Sequence, residues 1–251
     1  LQALTEERRP LPLKALAQRA DMPPGKAHPY LVSFMAAGMV KQSPLTGHYE
    51  LGPMALQMGL AALQQLDALT EASQEAALLC DQADLSVALC VWGHLGPTVV
   101  RLDEPRYPLH VNLRVGTVMS VFNTITGRVF AAYLPERMVR SVLEDEHRRV
   151  VGGGSGAYDS AEVRQMLADI RAAGMGRGLS TPQPGVNTLS APVFDADGKI
   201  ALVFTVIGPH GLFDAEINGP AGQLLRKHAD AVSRRLGFNP ALVKIKHQQI
   251  R

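Results

Sequence analysis

Apolar residues in the first fifty positions recur with a helical period. Leu13, Leu16, Ala17 and Ala20 stand at i, i+3, i+4 and i+7, which predicts a short amphipathic helix. Asp21-Met22-Pro23-Pro24 ends it, because proline cannot continue a helix and restricts the residue before it. A second apolar face follows at Ala27, Leu31, Phe34 and Met35, with Gly38 placed to terminate it. Met39–Gln42 and His48–Leu51 then flank Ser43-Pro44-Leu45-Thr46-Gly47, a hairpin with Pro and Gly in its turn. Helix, turn, helix and two-stranded wing is the plan of a winged helix-turn-helix, expected over 1–52. The chain opens inside a helical pattern without a Met, so amino-terminal residues are expected to precede Leu1.

Pro53–Leu79 reads as one long helical stretch, with Leu56, Leu60, Leu63 and Leu66 on one face. Residues 53–69 are the expected linker helix, and its apolar face suits either its own effector domain or a dimer seam. From 85 to 113 the pattern turns strand-like. Val87, Leu89 and Val91 alternate with Ser86, Ala88, Cys90 and Trp92, Thr98–Leu102 follows a Gly-Pro turn, and His110–Leu113 precedes Gly116. Helices are predicted at Gly127–Leu134, Glu136–Glu146 and Ser160–Ala173. Asp159 is the expected N-cap of the last, Glu162 completes a capping box, and Gly174 lies just past its end. Gly152–Gly156 reads as a flexible loop. Val186–Phe194 and Lys199–Ile207 flank Asp195-Ala196-Asp197-Gly198, a strong hairpin signal. A final helix, Ala221–Leu236, stops at Gly237, and 238–251 is a basic, polar tail. Strands mixed with flanking helices over 70–237 imply an α+β domain.

Composition narrows the function classes. No apolar run approaches the roughly 18 residues of a membrane span, and no targeting or lipid-attachment motif is visible, so a cytoplasmic location without membrane contact is expected. Cys80 and Cys90 form no framework and read as small buried hydrophobes. The net charge of +2 argues for no nucleic-acid partner by itself.

No catalytic constellation emerges. Gly153-Gly154-Ser155-Gly156-Ala157 misses the nucleophile-elbow pattern at its second glycine. Asp195-Ala196-Asp197-Gly198 is no calcium loop, since Val206 stands where the bidentate Glu is needed. Gly174–Gly178 lacks the dinucleotide spacing, and the eight histidines show no metal-ligand pattern. No catalytic residue, metal or cofactor is therefore assigned.

Several motifs in order carry a resemblance. Gly38-Met39-Val40 after the helix-turn-helix, then Tyr49 to Gly52, resemble the IclR family of bacterial transcriptional regulators. Thr126-Gly127-Arg128-Val129-Phe130-Ala131-Ala132-Tyr133-Leu134 is similar to that family's Gly-Lys/Arg helix start, and Gly185 through Ala191-Pro192-Val193-Phe194-Asp195 to Gly198 to its Ala-Pro-Val-Phe-Asp-x-x-Gly segment. The likeness runs from about residue 10 to Gly237.

The resemblance implies a GAF-like effector sheet, a duplex operator, a small-molecule effector and a homodimer or homotetramer. Lys26, His28 and Tyr30 become candidates for groove contacts, and Lys41, Thr46 and His48 for wing contacts to phosphate. The family's effector cup maps onto Met119, Phe122, Ile125 and Thr126 on one wall, and Thr188, Thr205 and Ile207 on the other. The apolar wall and the two threonines favour a partly apolar organic acid. Two departures stand out. The span 178–184 carries no carboxylate, where family members often have one. Pro29 occupies a recognition-helix position where the family frequently has Arg, so a late helix start or a kink is expected. The rivals are a ligand-binding or interaction module that no longer binds DNA, and an enzyme with a fused helical appendage.

Overall fold

The computed structural model describes residues 1–7, 9–65, 67–106, 113–149, 158–181 and 183–240. The chain forms two compact units, Leu1–Leu66 and Asp67–Arg251.

The first unit is a helix-turn-helix with a wing. Helices α1 (Gln2–Glu7), α2 (Leu13–Arg19) and α3 (Pro24–Ala36) precede β1 (Val40–Gln42), β2 (Tyr49–Leu51) and α4 (Pro53–Gln65). Leu4, Leu11, Leu16, Leu31, Val40 and Tyr49 make its core, with Phe34 and Met35 packed against it. Gly38 takes the left-handed conformation expected past a helix end, with φ of 69°. The strands β1 and β2 pair antiparallel, and Leu11 adds a bridge to Tyr49.

Two expectations about helices are corrected. The recognition helix does not start late at its proline: α3 begins at Pro24 and runs through Pro29. Pro24 at the first position is favoured, since its missing N–H has no intrahelical partner. Pro29 withholds one donor from the carbonyl of Gly25, a residue with no side chain to crowd the ring. The helical stretch from 53 to 79 is two helices. After α4, α5 (Ala68–Ala83) restarts on Asp67, whose carboxylate accepts from Leu69 N at 3.0 Å and from Thr70 Oγ1 at 2.6 Å.

The second unit is an α+β domain. Its sheet comprises β3 (Ser86–Gly93), β4 (Gly96–Asp103), β5 (Gly176–Leu179), β6 (Val186–Phe194) and β7 (Ile200–Pro209). The order is β4-β3-β7-β6-β5, antiparallel throughout. Asp195 Oδ1 clamps the β6–β7 hairpin by accepting from Asp197 N and Lys199 N, and Gly198 has φ of 77°. α5 and α9 (Pro220–Arg235) cover one face of the sheet. On the other face lies α6 (Ile125–Tyr133), backed by α8 (Ala161–Ala173). Because helices cover both faces, both sets of alternating β3 residues from Ser86 to Cys90 are buried.

Cys80 and Cys90 are free and buried, as expected. Burial pushes their thiols up to about 11 and about 12, so neither is a nucleophile at neutral pH. The edge strand β5 has no counterpart in the sequence reading. The cap of α8 is also corrected: Ser160, not Asp159, accepts from Val163 N at 3.2 Å, which places no Glu at the third helical position. The helix expected over 136–146 is α7 (Glu136–Arg149). Residues 110–112 of the expected His110–Leu113 strand, the Gly152–Gly156 loop with Ser155, and 241–251 of the tail lie outside the described residues.

Candidate functional site

Two candidate surfaces follow from this architecture, one on each unit. In the first unit, α3 turns Ala27 and Leu31 into the core. Its outer side presents Gly25, Lys26, His28, Pro29, Val32, Ser33 and Ala36 to solvent. Tyr30 lies on the flank, half exposed, along a groove it shares with Gln2 and Glu6 of α1.

Most cations of this unit are already paired. Glu7 meets both Arg9 and Arg19, and Lys41 reaches Glu50 across the wing at 3.1 Å. Among the described residues, Lys14 and Lys26 keep their charge without an ion pair. The wing tip is fixed internally: Gln42 Nε2 donates to Gly47 O at 2.8 Å, Thr46 N to Ser43 Oγ, and His48 N to Thr46 Oγ1.

In the second unit a cavity of about 300 Å³ opens between the start of α6, the segment 117–120 and the sheet. It is lined by Met119, Ile125, Thr126, Thr188, Thr205 and Ile207, six of the seven residues assigned to it from the sequence. Phe122 is the exception. It is buried beside Tyr158, with ring centroids 6.0 Å apart, and its carbonyl accepts from Arg128 Nε at 2.7 Å. Its position three residues before Ile125 carries it into the core rather than the cup.

Register explains the sheet wall. Thr188 pairs with Ile207 and Ser190 with Thr205, so these four side chains share the face toward α6. The hydroxyl of Thr205 sits between Thr126 Oγ1 and Ser190 Oγ, each at 2.8 Å. Thr188 differs: its Oγ1 is buried and has no hydrogen-bond partner among the described residues. A buried hydroxyl without a partner forfeits about 1 to 3 kcal/mol.

The other polar face is the start of α6. Thr124 caps it by accepting from Gly127 N at 3.1 Å, leaving the N–H groups of Ile125 and Thr126 without acceptors among the described residues. Such a helix start favours an anion. Thr117, Ser120, Thr181 and Gln183 add further polar groups, and among the described residues no lining side chain carries a charge. These four come from loops that show no period, so the sequence reading missed them. The carboxylate-free span 178–184 contributes Thr181 and Gln183 to the lining.

A larger groove of about 540 Å³ lies on the other side of Ile125. Asp169 and Arg177 there are already bonded to Gln165 and Glu216. The smaller cavity is therefore the one whose polar groups lack partners. Among the described residues no cluster of His, Cys, Asp or Glu could hold a metal, and no helix is long and apolar enough to cross a membrane.

Comparison with known proteins bears on both surfaces. Residues 1–44 match the IclR helix-turn-helix domain, and residues 60–234 match the bacterial transcriptional regulator IclR C-terminal domain. The glycerol operon regulatory protein of Streptomyces griseus is 30% identical over 250 residues, covering 94% of this chain and 93% of the relative. The HTH-type transcriptional regulator KdgR of Escherichia coli is 23% identical, covering 95% and 90%. Among solved structures, Pseudomonas aeruginosa HmgR superposes with a TM-score of 0.87 at 39% identity, covering 95% of each chain.

Proposed function

Because the chain belongs to the IclR family of bacterial transcriptional regulators, with that family's DNA-binding helix-turn-helix, we propose that it controls a catabolic operon in response to a small, partly apolar organic acid. The effector occupies the cavity at the start of α6. The observation that carries this reading is the orphan Thr188 hydroxyl in an uncharged pocket beside the unbonded N–H groups of Ile125 and Thr126. A single carboxylate suits those donors, and Met119, Ile125 and Ile207 suit an apolar body. A polyanion would find no cation in the described lining to balance it. The names of the relatives support a catabolic setting: one is a glycerol operon regulator.

A thermal-shift screen of carboxylic acids tests the reading. A hit is expected to bind roughly tenfold more weakly to Thr188→Val, since one charge-assisted hydrogen bond contributes about 1.5 kcal/mol or more. The same hit should change salt-dependent affinity for a selected duplex. Thr205→Val is the poorer probe, because its hydroxyl already bridges Thr126 and Ser190. A hit indifferent to Thr188 would remove the assignment.

On DNA, Lys26 and His28 serve the groove, and Lys41, Thr46 and His48 serve the phosphates beside the wing. Lys41 must exchange Glu50 for phosphate to do so, which makes its contribution small. Tyr30, on the flank, is the weakest of these candidates.

The chain acts as a homodimer or homotetramer in this reading. Met54, Leu56 and Met58 of α4 are 41%, 65% and 50% exposed, an apolar load that an isolated helix does not keep in water. The seam is expected to include Leu60 and Leu63, whose side chains lie outside the description. Sedimentation at micromolar concentration should give at least a dimer, and Leu56→Glu should shift it toward monomer. A monomeric wild type would exclude the seam.

A further inference from the structure

The recognition helix presents an unusual outer face for a DNA reader. Gly25, Pro29, Val32 and Ala36 fall at i, i+4, i+7 and i+11, one above another, and all are exposed. Ala27, Leu31 and Phe34 turn the opposite way, toward the core, so Pro29 stands near the centre of the outward surface. Ser33 borders this stripe, but its hydroxyl donates to Pro29 O at 3.1 Å. Pro29 has no N–H to offer. The side chains of the stripe therefore offer no hydrogen-bond donor, and the side chains that can make polar contacts, Lys26 and His28, flank it.

Base pairs in the major groove differ in hydrogen-bonding groups and in one apolar group, the thymine 5-methyl. A stripe of proline ring, valine methyls and alanine methyl matches only the latter. Gly25 reinforces the match: a Cβ there would meet nothing within 4 Å, so the backbone has room to approach the groove closely. Among the described residues Lys26 has no ion pair, and its charge at the margin complements the adjacent phosphates.

We propose that α3 specifies its operator by packing Pro29, Val32 and Ala36 against thymine methyl groups in the major groove, with Lys26 and His28 holding the helix in register. The occupant is duplex DNA, by continuity with the helix-turn-helix that this face belongs to. The proposal rests on the regulator reading.

The test uses the full chain. Duplexes are selected from a pool with a randomised centre, and each dT of the enriched site is replaced singly by dU, which removes only the methyl. Titrations are run at one fixed ionic strength, because phosphate contacts make affinity salt-dependent. At one or more positions in each half-site, dT to dU should weaken binding roughly fourfold, the equivalent of one buried methyl at about 0.8 kcal/mol. In Val32→Ala, whose altered side chain is exposed and supports no core contact, one of those penalties should disappear while the others persist. Pro29→Arg should instead enrich guanine at one position, since Arg pairs bidentately with that base.

If a site is enriched but no replacement of dT changes affinity, the methyl readout is wrong and the regulator reading stands. Penalties that survive unchanged in both variants would also overturn the assignment to this stripe. If the wild type enriches no sequence, both readings fall.

Discussion

Glu75→Ala is expected to destabilise the second unit by about 3 kcal/mol, the lower end of the range for removing one partner of a buried ion pair. Glu75 lies on α5 and is buried against α9. One carboxylate oxygen meets His228 Nδ1, and the other accepts from Arg235 Nη2 at 2.8 Å. His228 is itself 4% exposed, and its Nε2 lies 3.4 Å from Gln82 Oε1. Removing the carboxylate leaves a buried imidazole and a guanidinium without their shared acceptor. The lower end applies because Arg235 Nε keeps Glu71, at 2.8 Å.

The same cluster gives a pH dependence. Burial works to raise the Glu75 carboxyl, but the hydrogen bonds from His228 and Arg235 outweigh it and hold the group below its ordinary value. A depressed carboxylate stabilises the fold above its unfolded value. That contribution is lost as pH falls through the folded value. Urea unfolding at neutral pH and at pH near 4 should therefore show a smaller acid-induced loss in Glu75→Gln than in the wild type. The chain has one tryptophan, Trp92 on β3, so its fluorescence reports the second unit alone. Equal acid sensitivity in the two proteins would remove Glu75 from the account.

Legibility in the sequence tracked periodicity and turn chemistry. The winged helix-turn-helix and the β6–β7 hairpin were readable because their apolar positions repeat and their turns carry Pro, Gly and Asp. Thr205 and Ile207 could be placed on one face from a spacing of two. The edge strand β5 was hidden because two of its four residues are Gly176 and Gly178. A Cβ at Gly176 would lie 2.7 Å from Ile125 Cγ2, and one at Gly178 would lie 2.5 Å from Ile125 Cγ1. The glycines let α6 approach the sheet, and strand propensity is lost as a consequence. The break between α4 and α5 was hidden for the opposite reason. The apolar pattern continues from Leu56 past Leu69 while Asp67 restarts the helix locally. Phe122 falls outside the described cavity lining because proximity in sequence to Ile125 says nothing about which way a turn residue points.

Gly127→Ala should cost the second unit about 3 kcal/mol and abolish the response to an effector. A Cβ at 127 would lie 2.3 Å from the carbonyl oxygen of Val121 and 2.5 Å from that of Ser120. Both obstacles are backbone, so no side-chain rotation relieves them. Added atoms in a packed site cost about 1 to 3 kcal/mol when the surroundings can adjust, and this site sits at the stiff end. The displaced element would be the start of α6, because Val121 is tied elsewhere through its N–H to Glu146 Oε2 at 3.1 Å. Moving that start disrupts the Thr124 cap and shifts Ile125 and Thr126, one wall of the cavity, against Thr205 on the sheet wall. Thr124→Ala separates the two consequences. It removes the cap, worth about 1 kcal/mol, together with the hydroxyl's bond to Ser120 O at the cavity rim, and leaves the space at Gly127 unchanged. The expected order is a small loss of stability and of ligand affinity for Thr124→Ala, and a large loss of both for Gly127→Ala. Trp92 fluorescence follows the fold, since its ring packs 5.6 Å from Phe130 of α6, and the ligand-induced shift in Tm follows the pocket. A Gly127→Ala protein with wild-type Tm and an intact ligand shift would mean that α6 is free to move away from Val121, and that its start is not the fixed wall on which the effector assignment depends.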